Sequence, residues 1–222
     1  MIRGSGLTHE EVIYYGLFVI HNLSSLDHLP TPFFTLHCPL PTQFFMDIAQ
    51  FVESSLGCWR SQRSVHHLAF GHFEEVTSRI EIVPLGDADP EVLDLCKSHE
   101  IDPQRATHPF RMSWEGESDW DESEVIQGTT ILVPIPDRGN PKAGKLLRDQ
   151  GYAETIPAVG EYHLTPEGTF ILQTEYDRAM AEEKIWFINP NFRLRVSLIK
   201  TSAGSGVVTA SYSSEIRSLS PS

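Results

Sequence analysis

The chain has 222 residues, 40% of them hydrophobic and 10% aromatic, which suits one globular domain with a sizeable core. Its 30 acidic and 17 basic side chains give a formal net charge of −13, which argues against nucleic acid and anionic membranes as partners because both would repel the protein. No apolar run reaches the length of a membrane span. Three scattered cysteines, Cys38, Cys58 and Cys96, lack metal-ligand or disulfide-framework spacing, so a reducing compartment is the simplest fit.

Residues 1–45 differ from the rest of the chain because they hold few charges and show no sustained hydrophobic period. Their apolar run at residues 12–20 lacks the basic flank and cleavage site of a signal peptide. Arg3 is the only arginine in this segment, which also fits a transit peptide badly. We therefore predict an N-terminal extension at 1–45, either a leader or an over-extended start, then a domain at 46–217 and a short tail at 218–222.

The first part of this domain mixes two short helices with strands. Asp47 is predicted to cap a helix that Gly57 ends, and a second helix begins at Asp89 and Pro90 and ends near His99. The predicted buried faces of the two helices hold Ile48, Phe51, Val52 and Ser55, and Val92, Leu95 and Cys96, respectively. Strands are predicted at residues 59–70, 79–83, 110–116 and 129–135. The acidic segment at residues 115–124, which contains Trp120, is predicted to form a loop.

The second part is predicted to be almost entirely strand. Asn140 and Pro141 are predicted to cap one short helix that runs through Leu146 and Leu147 and ends at Gly151. Further strands are expected at residues 161–164, 169–176, 185–188, 193–199 and 207–213. Many short strands with few helices predict a mostly β fold, an antiparallel up-and-down barrel with an N-terminal helix and one or two short helices in connections. About eight or more strands close a barrel that holds one small ligand, as in the lipocalin (calycin) arrangement.

The clearest chemical pattern lies in a predicted hairpin that turns at Pro190. Arg193, Arg195 and Ser197 share one face of its second strand, and symmetric pairing places Glu183 on the same face. This grouping indicates a pocket for an anionic ligand, because arginines bind carboxylates through two parallel hydrogen bonds. The alternative, a solvated outer face of a sheet, is favoured by spacing alone. A shift of one residue in register would also remove Glu183 from the group.

Two other strands add candidates for the same pocket. Arg63 faces the same side as neighbouring aromatic and hydroxyl side chains, although it could equally cover apolar surface with its stem. Met112 and Trp114 alternate along their strand as ordinary core residues do, and they would also suit the flat wall of a large planar ligand. His66 and His67 point to opposite faces of a strand, so we expect surface or hydrogen-bonded histidines and no metal site.

A further pattern is formed by residues 57–63, 67–70, 110–116, 120–121, 146–152, 182–187, 191–195 and 214–217, taken in chain order. In that order these segments resemble the S-type phycobiliprotein lyases, the CpcS/CpeS class that attaches open-chain tetrapyrroles to antenna proteins. Residues 1–45 have no counterpart in the family. Lys184 stands where the family pattern has an arginine, which keeps the charge and loses the bidentate fork.

The resemblance implies a lipocalin-like barrel that binds a bilin, phycocyanobilin or phycoerythrobilin, and joins it through a thioether to a cysteine of an apo-phycobiliprotein alpha or beta subunit. It implies catalytic roles for Glu183 and Arg193. Substrate-binding roles are implied for Arg63, Met112, Trp114, Trp120, Trp186, Arg195 and Ser197. The propionates call for arginines, the ring nitrogens for Glu183 and the conjugated surface for aromatics. The nucleophile belongs to the acceptor, so we expect no catalytic cysteine in this chain, no metal and no permanent cofactor.

The expected partners are therefore the bilin and, transiently, the acceptor subunit, with self-association or pairing with a paralogous lyase subunit left open. The resemblance implies the cyanobacterial cytoplasm, or the plastid stroma if the chain comes from an alga. A competing hypothesis is a non-catalytic bilin or tetrapyrrole carrier of lipocalin type, whose pocket residues would look the same. A hydrolase or isomerase with Glu183 as general base has little support, because no GxSxG or HExxH motif is present.

Overall fold

The computed structural model describes residues 46–119, 125–149, 158–201 and 206–218, and these residues form a closed antiparallel barrel. The helices are α1 (Ile48–Ser55) and α2 (Pro90–Ser98), with a 3-10 turn at Pro103–Arg105. The strands are β1 (Gly57–His67), β2 (His72–Pro84), β3 (Phe110–Ser118), β4 (Val125–Asp137), β5 (Asn140–Arg148), β6 (Ala158–Leu164), β7 (Phe170–Glu175), β8 (Ala179–Asn189), β9 (Phe192–Thr201) and β10 (Val207–Arg217). Each strand pairs with its neighbours in sequence, and β1 pairs with β10 to close the barrel. The predicted mostly β, up-and-down barrel is confirmed.

Helix α1 closes one end of the barrel, which we call the lower end. The Asp47 side chain accepts a hydrogen bond from the Gln50 amide at 2.9 Å, and the Gln50 side chain accepts one from the Asp47 amide at 3.1 Å. This capping box satisfies two amides that would otherwise lack partners at the helix start. The buried face of α1 matches the prediction, and its Phe51 ring stacks on Phe170 at 4.2 Å between centroids. Gly57 has a φ of +107°, in keeping with its predicted place at the helix end.

Helix α2 packs on the outside of the barrel against β4 and β5. It buries Val92, Leu95 and Cys96, as predicted, and these side chains form a second core with Ile131, Val133, Ile135 and Leu147. None of the helices in the described residues is long and apolar enough to cross a membrane.

The predicted helix from Asn140 to Leu147 is wrong, because these residues form β5. Leu146 points into the barrel core, whereas Leu147 points outward into the core beneath α2. A strand that is buried on both faces has consecutive apolar residues and so loses the alternation typical of a strand. Gly151 lies outside the described residues.

Several other predicted boundaries shift. β1 ends at His67, and residues 68–71 form the turn to β2, which begins seven residues earlier than predicted. The acidic segment predicted as a loop begins as strand, because β3 continues to Ser118. Residues 1–45 and 219–222 lie outside the described residues.

The hairpin of β8 and β9 has the register predicted from symmetry about Pro190. Glu183 pairs with Ser197, and Ile185 pairs with Arg195. A small irregularity near Asn189 shortens the turn to two residues without changing which side chains face inward. The predicted face therefore points to the barrel interior and not to solvent.

Candidate functional site

A cavity of about 310 Å³ lies inside the barrel above the core that α1 closes. Three arginines and one glutamate reach its wall from four different strands: Arg63, Arg148, Arg195 and Glu215. Met112 and Trp114 from β3 supply a flat apolar wall. The volume falls in the range of small-molecule sites, about 300–1,000 Å³.

A smaller cavity of about 50 Å³ lies between the main cavity and α1. It shares Met112, Arg148 and Arg195 with the main cavity and adds Glu183 and Arg193 to the charged wall. The two cavities together are therefore lined by four arginines and two glutamates. A ligand in the main cavity therefore contacts residues that also line the smaller cavity.

Glu215 is the centre of a buried ion cluster. Its side chain and that of Arg193 are each 1% exposed, with 2.5 Å between Arg193 Nε and Glu215 Oε2. Arg195 Nε lies 3.1 Å from Glu215 Oε1. Burial raises the pKa of the Glu215 carboxyl, but Arg195 and Arg193 outweigh that effect, so its pKa falls below the ordinary value. Burial lowers the pKa of Arg193 to about 10 against the opposing effect of Glu215, so both groups are charged at neutral pH.

Glu183 makes longer contacts than Glu215 does. Its Oε1 lies 3.6 Å from Arg195 Nη1 and 3.5 Å from Ser197 Oγ, and its Oε2 lies 3.8 Å from Arg148 Nη1. These distances are beyond those of short charge-assisted hydrogen bonds. The Glu183 carboxylate is thus the more available of the two for a cationic group on a ligand.

Trp59 connects the ion cluster to α1. The guanidinium carbons of Arg193 and Arg217 lie 4.3 Å and 4.2 Å from the centroid of its ring, within cation–π range. Its indole nitrogen donates to the Ser55 carbonyl at 2.8 Å. Arg217 donates to the carbonyls of Leu56 and Ser54 at the end of the helix. The helix end and the ion cluster are therefore held as one unit.

Trp114 depends on a glycine opposite it. Gly128 pairs with Trp114 across β3 and β4, and a Cβ at Gly128 would lie only 2.3 Å from the indole ring. Any larger residue at this position would displace the ring from the cavity wall.

The structure brings together seven of the nine predicted site residues. Arg63, Met112, Trp114 and Arg195 line the main cavity; Glu183 and Arg193 line the smaller one; Ser197 lies beside Glu183. Trp186 alternates with the inward Ile185 and pairs with Leu194, so it lies on the outer face and lines neither cavity. Trp120 lies outside the described residues.

Two site residues were missed by the sequence reasoning. Arg148 was assigned to a helix that does not exist, although the apolar pair before it could have indicated a strand buried on both faces. Glu215 lies two residues beyond the predicted end of its strand. Extending the alternation of Ser211 and Ser213 would have placed Glu215 on the inner face.

The histidines behave as expected for adjacent strand residues. His66 faces outward against Phe73 and Tyr212, with ring centroids 5.0 Å and 6.0 Å away. His67 Nε2 lies 2.9 Å from Glu74 Oε2. In the part of the chain that the structure describes, no group of three or more His, Cys, Asp or Glu side chains is arranged to hold a metal ion.

A family model, named proteins and a solved structure each match this chain. The family model described as CpeS-like protein matches residues 47–218. The chain is 65% identical over 173 residues to Chromophore lyase CpcS/CpeS 3 of Trichodesmium erythraeum (strain IMS101), covering 78% of this chain and 100% of that protein. It is 59% identical over 164 residues to a protein of Microchaete diplosiphon named as a candidate phycoerythrobilin lyase, CpeS, covering 73% of each. Among solved structures, the S-type phycobiliprotein lyase CPES from Guillardia theta matches with a TM-score of 0.71 and 50% identity, covering 80% of this chain and 96% of that chain.

Proposed function

Because this chain belongs to the CpeS-like family, we propose that it is a chromophore lyase that binds a bilin in its barrel and attaches it to a phycobiliprotein subunit. The bond is a thioether to a cysteine of that subunit. Similarity to the Microchaete protein favours phycoerythrobilin over phycocyanobilin as the bilin.

The observation that carries this proposal is the charge of the two cavities. Four arginines line them, inside a chain whose formal net charge is −13. A bilin carries two propionates, which are both ionised at neutral pH and would pair with these guanidinium groups. Guanidinium groups suit carboxylates because their donors form a planar fork. Met112 and Trp114 offer the flat, polarisable surface that a conjugated tetrapyrrole needs.

The two glutamates take different roles in this proposal. Both oxygens of Glu215 already contact arginines, so Glu215 holds Arg193 and Arg195 in place. The contacts of Glu183 are longer, which leaves its carboxylate able to turn toward the pyrrole nitrogens of the bilin. The pair of Arg193 and Glu215 then positions Arg195, and the guanidinium groups of Arg63 and Arg195 bind the propionates.

The reaction is an addition with no net oxidation. The acceptor thiolate attacks the exocyclic ethylidene carbon of ring A and forms the carbon–sulfur bond, while the π electrons move into the conjugated system. The proton lost from the thiol is regained by the bilin. Attack is easier when the bilin is protonated, and a carboxylate beside the nitrogens favours that form. The barrel also holds the bilin in one conformation, so that one face of ring A meets the cysteine.

The proposal is tested first by Glu183→Gln. We expect this variant to slow thioether formation by about 10²-fold or more, the usual range for a group that handles a proton, while it weakens bilin binding less. Bilin binding is measured by absorbance titration. Transfer is measured by zinc-enhanced fluorescence of the denatured acceptor subunit. Equal losses in binding and transfer would mean that Glu183 only holds the ligand.

Glu182→Gln is the matched control in the same strand. The Glu182 side chain lies on the outer face and contacts Lys184 at 3.2 Å and Lys200 at 3.3 Å. We expect this variant to transfer the bilin at the wild-type rate. Slowing by the control as large as that of Glu183→Gln would remove the special role of Glu183.

The wider setting follows from the same proposal. We infer an apo-phycobiliprotein alpha or beta subunit as the transient acceptor, and a location in the cyanobacterial cytoplasm or the plastid stroma. The active species is a single chain, a homodimer or a heterodimer with a paralogous lyase subunit. Co-expression with a bilin pathway and separate apo-subunits tests which subunit is the acceptor. A chain that purifies coloured while every subunit stays unlabelled would favour the carrier hypothesis instead.

A further inference from the structure

The turn between β1 and β2 exposes apolar side chains at the end of the barrel opposite α1, which we call the upper end. Leu68 and Phe70 in the turn are 54% and 82% exposed. Phe73 in β2 and Tyr212 in β10, beside the turn on the outer face, are 46% and 53% exposed. We call these four residues the rim patch. Exposed groups of large apolar side chains commonly mark sites of protein interaction.

The rim patch has a defined geometry. The Leu68 amide donates to the Val208 carbonyl of β10 at 2.9 Å, and the Phe70 amide donates to the His67 carbonyl at 3.0 Å. Gly71 completes the turn with a φ of +61°, a conformation that glycine adopts without strain. The side chains are thus presented by a hydrogen-bonded turn, which lowers the entropy lost when a partner binds.

The position of the rim patch relative to the cavity identifies the partner. Because α1 closes the lower end, an acceptor cysteine must reach the bilin from the upper end. β1 runs upward from Arg63 in the cavity wall to Leu68 in the turn, about 16 Å at the usual rise of a strand. Leu68 and Phe70 lie in the turn at that same end, so a protein seated there with a standard interface, about 800 Å² on each partner, contacts them.

The chemistry of the rim patch suits a transient protein partner. None of its four side chains is charged, although the chain carries 30 acidic residues. Aromatic anchors of this kind are typical of the few residues that contribute most to binding. Four side chains are few for an obligate dimer, whose interface usually buries more than about 2,000 Å² in total.

We propose that the rim patch docks the acceptor phycobiliprotein subunit through apolar contacts around its acceptor cysteine, an inference that rests on the proposed lyase function. The rim patch then sets the concentration at which acceptor is captured, while the cavity residues carry out the addition. Docking and chemistry are separable, because no rim residue lines either cavity.

The test compares Phe70→Ser and the double variant Leu68→Ser/Phe70→Ser with the wild type. We expect the KM for the apo-subunit to rise about tenfold or more, as truncation of an interface anchor usually does, with kcat and the bilin Kd within about twofold of wild type. Phe70→Trp keeps an aromatic anchor and should retain a near-wild-type KM. Circular dichroism confirms that each variant is folded.

Ile216→Ser is the matched control. Ile216 is 59% exposed on the outer face of β10, close to α1 and away from the upper end. The same loss of apolar surface there should leave KM unchanged. An equal rise in KM for the control would overturn the assignment of the rim patch.

The remaining outcomes separate this inference from the proposed function. A wild-type chain that forms no thioether with any alpha or beta subunit overturns the lyase function itself. A wild-type chain that transfers bilin, with an unchanged KM in the rim variants, overturns only the docking site. Rim variants that instead change the mass measured by light scattering, or lose binding to phosphatidylglycerol vesicles, at unchanged KM would show that a second copy or a membrane occupies the patch.

Discussion

Glu215→Gln removes the central charge of the buried ion cluster and keeps the shape of the side chain. Arg193, 1% exposed, would then be left as a buried charge without its counter-ion at 2.5 Å. Breaking a buried ion pair from one side costs about 3–5 kcal/mol, because the remaining charge cannot be solvated. For a domain of this size each kcal/mol shifts the melting temperature by about 2–4 °C, so we expect a fall of about 6–20 °C.

Glu91→Gln provides the comparison for this prediction. Glu91 pairs with Arg111 on the surface, and the two side chains are 52% and 35% exposed. Exposed pairs contribute about 1 kcal/mol or less, so this variant should melt within a few degrees of the wild type. Urea unfolding followed by tryptophan fluorescence gives both free energies. If Glu215→Gln costs no more than Glu91→Gln, the ion cluster does not support the fold.

The difference in stability between the wild type and Glu215→Gln should also depend on pH. The pKa of Glu215 is lower in the folded chain than its ordinary value. Its contribution to the free energy of unfolding is therefore fully present above the pKa of the unfolded carboxyl, about 4.3. It is lost as the pH falls through the lower, folded pKa. The stability difference between wild type and Glu215→Gln should thus be constant above about pH 5 and shrink in acid. A difference that grows toward low pH would contradict the sign of the pKa shift.

Three further changes test other parts of the structure. Asp47→Ala removes the helix cap and should cost about 1 kcal/mol in urea unfolding, without altering the spectrum of bound bilin; a cost near zero would show that α1 does not need the cap. Gly128→Ala places a Cβ against Trp114 and should lower stability by about 1–3 kcal/mol and weaken bilin binding in absorbance titrations, whereas unchanged affinity would exclude the indole from the binding wall. Cys58→Ser and Cys96→Ala should leave transfer intact in the zinc fluorescence assay; loss of transfer by a variant that folds and binds bilin would mean that a thiol of this chain takes part.

The hairpin of β8 and β9 shows why much of the site could be predicted from the sequence. Strict alternation on both sides of Pro190 specifies the register, and register decides which side chains share a face. Glu183, Arg193 and Ser197 follow directly from that rule. What alternation could not decide is which face points inward, since solvated and buried polar faces have the same spacing. The closed barrel supplies that information through pairings between residues far apart in sequence, such as β1 with β10.

The errors have the same physical origin. β5 has apolar residues on both faces because α2 covers the barrel outside it, and this contact joins segments more than 40 residues apart. Local pattern alone therefore favoured a helix and hid Arg148. Trp186 belongs to a segment shared with the family, but the alternation of side chains along β8 places it on the outer face of the barrel. Alternation within the strand therefore predicted the position of this side chain better than the shared segment did.

The buried charges of the site carry a cost to the stability of the fold. Burial of the four arginines and two glutamates that line the cavities costs desolvation free energy, which a purely hydrophobic core does not incur. The same desolvation lowers the pKa of Arg193. A ligand with two carboxylates can pair with these arginines, so its binding should stabilise the folded chain beyond the contribution of apolar contacts alone. In the proposed function, Arg63, Arg148 and Arg195 favour a ligand with two carboxylates, while the outer surface of a strongly acidic chain repels most other anions. Under the two proposals, the bilin is recognised inside the barrel and the acceptor subunit is recognised at the uncharged rim patch.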